Sequence, residues 1–99
     1  MSSRNDARVP YPVNGGTQSV AYTGTHGVIA NAVGAQTRRV LVYASSDCHI
    51  QFASAPVATT ADMFLPATSQ IFLSIRGGEK VSAIQATDGG TLYVSEMTY

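Results

Sequence analysis

Ser45–Pro56 reads SSDCHIQFASAP, and it sets the chain's single cysteine between an aspartate and a histidine. Asp47-Cys48-His49 supplies the residue types of a thiol hydrolase or a metal site. Strand alternation removes both readings. Successive side chains of a strand point to opposite faces, so Cys48 and His49 diverge and cannot form a thiolate–imidazole pair. Nothing in the sequence places the other histidine, His26, near Cys48. Zinc needs three or four converging ligands, and this pair supplies neither the number nor the geometry. Alternation instead puts Cys48, Ile50 and Phe52 on one face, all residue types that favour the interior. Asp47, His49 and Gln51 share the polar face, and His49 and Gln51 become possible partner contacts. The stretch reads as a turn followed by a core strand.

Similar short runs recur along the chain at Ser19–Thr23, Gly27–Val33, Arg38–Ala44, Gln70–Ile75, Lys80–Ala86 and Thr91–Thr98. Turn residues separate them, and several short strands at this spacing indicate an all-β sandwich or barrel. Val40, Val42, Leu92 and Val94 join Cys48, Ile50 and Phe52 as the expected core. IRGGEKV and ATDGGTL carry the strongest hairpin signals, because glycine supplies the positive φ of tight reversals. Ala53–Ser69 is the least regular interior segment. It is expected to be a long connection with a helical turn near Asp62, and connections of that length are often binding loops.

Met1–Gln18 reads as an extended N-terminal arm and residues 19–99 as the β-domain. Pro10, Pro12, Gly15 and Gly16 disfavour both a helix and a sheet interior here. Within the arm, Val9, Pro10, Tyr11, Pro12 and Val13 form a semi-rigid apolar segment, since a residue before proline is pushed to extended geometry. Such a segment packs either on its own domain or on a partner. Tyr99, at the other end, is a further possible partner contact.

Composition narrows the function classes. Charged residues make up 12% of the 99 residues and the formal net charge is zero, against about 25% charged in an average soluble domain. Serine and threonine, ten of each, take their place. A chain so poorly charged has little protection against self-association; composition alone suits equally a surface covered in a permanent assembly and one solvated by its hydroxyl groups. The six basic residues are scattered among six acids, so no nucleic-acid footprint forms. No apolar run approaches the ~20 residues of a transmembrane helix, and MSSRNDARVP lacks the apolar core of a signal peptide. TDGGT and GGEK lack the lysine and spacing of a phosphate loop. Asp62 and Glu96 are the remaining candidates for paired carboxylates, but no spacing brings them together. No catalytic residue, metal ligand or cofactor is expected.

A broader pattern covers Arg38–Met97. Its parts are Asp47-Cys48 with Ile50 and Phe52, then Ala58-Thr59-Thr60, Leu65-Pro66-Ala67, Gly78 with Lys80-Val81, and Gly90-Thr91-Leu92-Tyr93-Val94 with Glu96-Met97. The pattern resembles small β-sandwich virion structural proteins of tailed bacteriophages, of the capsid decoration (cement) type. The resemblance implies a small antiparallel β-sandwich or jelly-roll-like barrel, made in the bacterial host cytoplasm and ending on the capsid surface. It implies the major capsid protein and other virion proteins as partners and a homo-oligomer, trimer or dimer. The other roles open to this pattern are a phage neck or tail component and a small receptor- or carbohydrate-binding β-module.

Overall fold

The computed structural model describes residues 11–98. Eight strands follow one another: β1 (Tyr11–Tyr22), β2 (Gly27–Val28), β3 (Arg39–Ala44), β4 (Cys48–Ala53), β5 (Met63–Leu65), β6 (Gln70–Ser74), β7 (Lys80–Gln85) and β8 (Gly90–Thr98). They form two four-stranded antiparallel sheets, sheet A in the order β1-β8-β3-β6 and sheet B in the order β2-β7-β4-β5. The pairing has one rule: first with last, second with seventh, third with sixth, fourth with fifth. Further pairing of β3 with β8 and of β4 with β7 closes each sheet. A chain that pairs in this way is a long hairpin rolled over on itself, the jelly-roll form of the β-sandwich.

Alternation builds the core. β3 buries Val40, Val42 and Ala44, β8 buries Leu92 and Val94, and β4 buries Cys48 and Ile50. Leu65, Val81 and Ala83 join them, and Phe52 packs, partly buried, at the margin of the cluster. Each fully buried aliphatic side chain contributes about 1.5–3 kcal/mol relative to exposure, so a thin set of β-branched residues can hold two short sheets together.

Three expectations change. The glycine turns of IRGGEKV and ATDGGTL are not hairpins, because each carries the chain from one sheet to the other. Among the described residues only β4 and β5 are consecutive strands paired in the same sheet. Gly78 does adopt a positive φ of 84°. Gly90 serves by close approach instead, since a Cβ there would lie 2.3 Å from the Ser46 hydroxyl and 2.7 Å from the Tyr22 hydroxyl.

The second change lies in Ala53–Ser69. This segment contains the short strand β5, and a simple turn closed by Asp62 N–H on the Thr59 carbonyl at 3.0 Å takes the place of the expected helical turn. The third concerns the arm. Residues 11–18 belong to β1, and Tyr11, Pro12, Thr17 and Gln18 among them pair with β8 of their own sheet. Between Pro12 and Thr17 the register slips, with Gly15 at φ 73°. Pro12 and the two glycines are tolerated because β1 is an edge strand and its bulge needs no ladder bonds.

Candidate interaction surface

The Asp47-Cys48-His49 trio separates in space. Asp47 is exposed, and its carboxylate accepts the Ala67 N–H at 2.7 Å, tying the β3–β4 turn to the β5–β6 loop. Cys48 is fully buried, and burial pushes its thiol above the ordinary range. His49, on the opposite face, lies with Nδ1 2.9 Å from the Asp62 carbonyl oxygen. A carbonyl only accepts, so Nδ1 carries the proton. The ring packs against Phe64 with centroids 5.4 Å apart.

His49 and Gln51 therefore work inside the chain. The Gln51 amide accepts the Val57 N–H at 2.8 Å and donates to the Asp62 carboxylate at 3.2 Å. Asp62 also takes the Thr59 N–H at 2.8 Å and the Thr59 hydroxyl at 3.2 Å. Next to Gln51 on β7, buried Ser82 accepts the Ala58 N–H at 3.1 Å. Residues 54–62 are thus laid over the outer face of sheet B, with Pro56 and Ala58 buried beneath them.

Over the centre of sheet A's outer face the described residues lay no such cover, although Met97 at one end of that face is buried. Its composition follows from the ladder. Val40, Val42 and Ala44 point inward, so Arg39, Leu41 and Tyr43 point outward. Their partners across the sheet are Met97, Ser95 and Tyr93 on β8 and Ser74, Phe72 and Gln70 on β6. From β1 come Thr17 beside Ser95 and Ser19 beside Tyr93. Two contacts confirm the shared face: Tyr43 and Tyr93 rings lie 6.0 Å apart, and the Thr17 and Ser95 hydroxyls meet at 2.9 Å. Phe72 is 51% exposed and Tyr93 43%. Arg39 is the one charged side chain among these outward residues. The face is apolar at its centre and dotted with hydroxyls.

The remaining candidates sit elsewhere. Asp62 and Glu96 serve different loops: Glu96 accepts the Gly34 N–H at 3.0 Å and the Thr37 hydroxyl, far from the Asp62 set in sequence and on the other sheet. Of the arm residues, Val9 and Pro10 lie outside the described residues, as does Tyr99. Pro12 and Val13 are exposed, and the Tyr11 backbone pairs with Thr98. Among the described residues no three His, Cys, Asp or Glu side chains gather. Sequence reasoning passed over Leu41, Tyr43, Phe72 and Tyr93 as a set. Their signal lay in the same alternation that assigned Val40, Val42 and Val94 to the core. Compared with protein-family models, curated proteins and solved structures, the chain finds no match in any of the three.

Proposed function

We propose that this chain is a non-enzymatic structural protein of a tailed-phage virion, which decorates the head by laying the outer face of sheet A across neighbouring major capsid protein subunits. The observation that carries the reading is that face, four strands wide, on which the described residues lay no covering loop over the exposed Phe72 and Tyr93 and place Arg39 as the one charged side chain. A solvated sheet face of an isolated domain is normally polar, and an apolar one marks an interaction site. The sequence resemblance supplies the setting. The jelly roll is compatible with it, being common among capsid proteins and lectins, although a fold by itself does not assign a role.

Cementing works by burying surface across subunits, so the lattice opens only when those contacts break. At about 3.4 Å per residue and 4.8 Å per strand, the paired residues of sheet A cover roughly 450 Å². A standard stable contact buries about 800 Å² on each partner, so one protomer's face is short of a full contact and self-association or added arm contacts would complete it.

The test is co-sedimentation of the purified chain with heads that lack it. Binding is expected, and the double variant Leu41→Ser, Tyr93→Ser is expected to lose it at least tenfold while melting within a few degrees of the parent. Equal binding by the variant, or none by the parent, contradicts the reading. A receptor- or carbohydrate-binding module would instead bind glycans through Tyr93 and Phe72, and a glycan array separates it.

A further inference from the structure

We propose that two copies of this chain pair through β6, antiparallel and centred on Phe72, to join their A sheets into one eight-stranded sheet. The inference rests on the state of the sheet edges and stands apart from the virion reading.

Among the described residues four strands lie at sheet edges, and three are blunted. β1 carries Pro12 and a bulge, β2 has two residues and β5 has three. Prolines, bulges and short length are the ordinary protections of an edge. β6 has none of them: Gln70–Ser74 is regular, free of proline and uncharged. The whole stretch 63–75, which builds this side of the sandwich, contains no charged residue and no histidine. Three of the large apolar side chains most exposed to solvent are gathered there, Met63 at 43%, Phe64 at 47% and Phe72 at 51%. Between the sheets on the same side opens a groove of about 330 Å³ lined by Ile50, Phe52, Met63 and Leu73 together with the polar Gln51, Asp62 and Ser74.

The ladder shows which backbone groups are available. Ile75 N–H donates to the Arg38 carbonyl at 3.0 Å, and in an antiparallel pair the residues facing the neighbour alternate. Leu73 and Ile71 therefore bond to β3, while the N–H and C=O groups of Gln70, Phe72 and Ser74 face the open edge.

The sequence of that edge selects its occupant. Read from Phe72 outward, QIFLS is symmetric in chemistry: an aromatic flanked by two aliphatics, then two neutral polar residues. Antiparallel pairing with a second copy sets Gln70 opposite Ser74, Ile71 opposite Leu73 and Phe72 opposite itself. About six backbone hydrogen bonds form, and the central Phe72 pair exchanges two of them. The two phenyl rings meet on one face, as favourable cross-strand pairs do. The two-fold axis is normal to the sheet, so both outer A faces look the same way and their combined footprint doubles. The same operation brings the two grooves side by side and covers Met63 and Leu73. A contact of this size belongs to the small, reversible class, with a dissociation constant on the order of 10 µM.

Sedimentation equilibrium of the full chain at about 100 µM, well above that constant, should give a mean mass approaching twice the 10.4 kDa chain mass. Phe72→Lys and Phe72→Glu should each be monomeric, because like charges meet across the axis, and an equimolar mixture should recover the dimer. Both substitutions fall on a side chain half exposed in the protomer, so unchanged circular dichroism is expected. Independently, Phe72→Cys should cross-link under mild oxidation, since facing residues lie about 5.5 Å apart at Cα. Ser95→Cys, on the same face but two strands inward, should not. A monomeric parent, a dimer that persists in either charge variant alone, a mixture that stays monomeric, or equal cross-linking of the two cysteine variants overturns the proposal. None of these readouts involves capsids, so this proposal and the virion reading can fail separately.

Discussion

The Tyr22 hydroxyl donates to the Ser46 carbonyl at 2.6 Å, from a side chain only 1% exposed. It also accepts the Ser46 N–H at 3.2 Å. One phenol at the end of β1 thus holds the turn that leads into β4. The join spans the two sheets, because β1 lies in A and β4 in B.

Tyr22→Phe keeps the ring and removes both bonds, leaving the Ser46 carbonyl and N–H without their partner. Orphaned, partly buried groups of this kind cost about 1–3 kcal/mol. Urea denaturation should show that loss as a lower midpoint with an unchanged slope. A variant as stable as the parent would mean that water replaces the phenol at no cost.

Alkaline pH should weaken the fold through two neighbouring groups. Burial pushes the Cys48 thiol above its ordinary 9.0 and the Tyr22 phenol above its ordinary 10.0. Both are neutral when protonated, and the unfolded chain loses each proton first. The native state then binds more protons than the unfolded one, and stability falls as pH rises. Their contribution is complete below pH 9 and is lost from there upward, through the raised folded values. Cys48→Ala should move the onset about one unit higher, toward that of Tyr22 alone. In the native protein at neutral pH a thiol reagent should leave Cys48 unmodified, and in urea it should react fully.

The cover over sheet B depends on Gln51 and Asp62. Gln51→Ala removes the acceptor of Val57 N–H, and Asp62→Ala removes that of Thr59 N–H. Each substitution should cost about 1–2 kcal/mol. The more specific readout is hydrogen exchange: the Val57, Ala58 and Thr59 amides should exchange faster while β3 and β8 amides keep their protection. Uniform loss of protection would instead show that residues 54–62 open only with the whole domain.

Much of this architecture was legible because alternation is a strong signal where one face is buried. Cys48, Ile50 and Phe52 declare their strand in that way, and the same rule dissolves the apparent catalytic trio. β5 was hidden by its length, since Met63–Leu65 is too short to display a period. β1 was hidden by Pro12, Gly15 and Gly16, which look like an arm until the edge position and the bulge explain them. The two glycine turns announced reversals correctly but not which sheet received the next strand, because crossing between sheets is decided by tertiary packing. The inward use of His49 and Gln51 was invisible for the same reason: their partners, Val57 and Asp62, sit on a loop with no periodicity to place it.

Adjacent glycines in the β6–β7 turn should respond differently to alanine. A Cβ on Gly77 would lie 2.1 Å from the Ala35 carbonyl oxygen, so backbone must move. Gly78 has open space around it, and the obstacle there is its φ of 84°. Gly77→Ala should cost about 2–3 kcal/mol, as other overpacked sites do. Gly78→Ala should cost about 1–2 kcal/mol, the penalty of left-handed backbone. Chemical denaturation of both variants checks the order, and a costlier Gly78→Ala would reverse it.

The central claim, that this chain cements a phage head through the open face of sheet A, meets its most direct test in the copy number per particle. The measurement calls for a tailed phage whose genome carries this sequence, its purified virions resolved by electrophoresis and each band quantified against the major capsid protein. The account predicts copies in a fixed, large proportion to the capsid subunits, lost together with head stability when Leu41 and Tyr93 are replaced by serine. A copy number no greater than that of neck or tail components, or no copies at all, would contradict it.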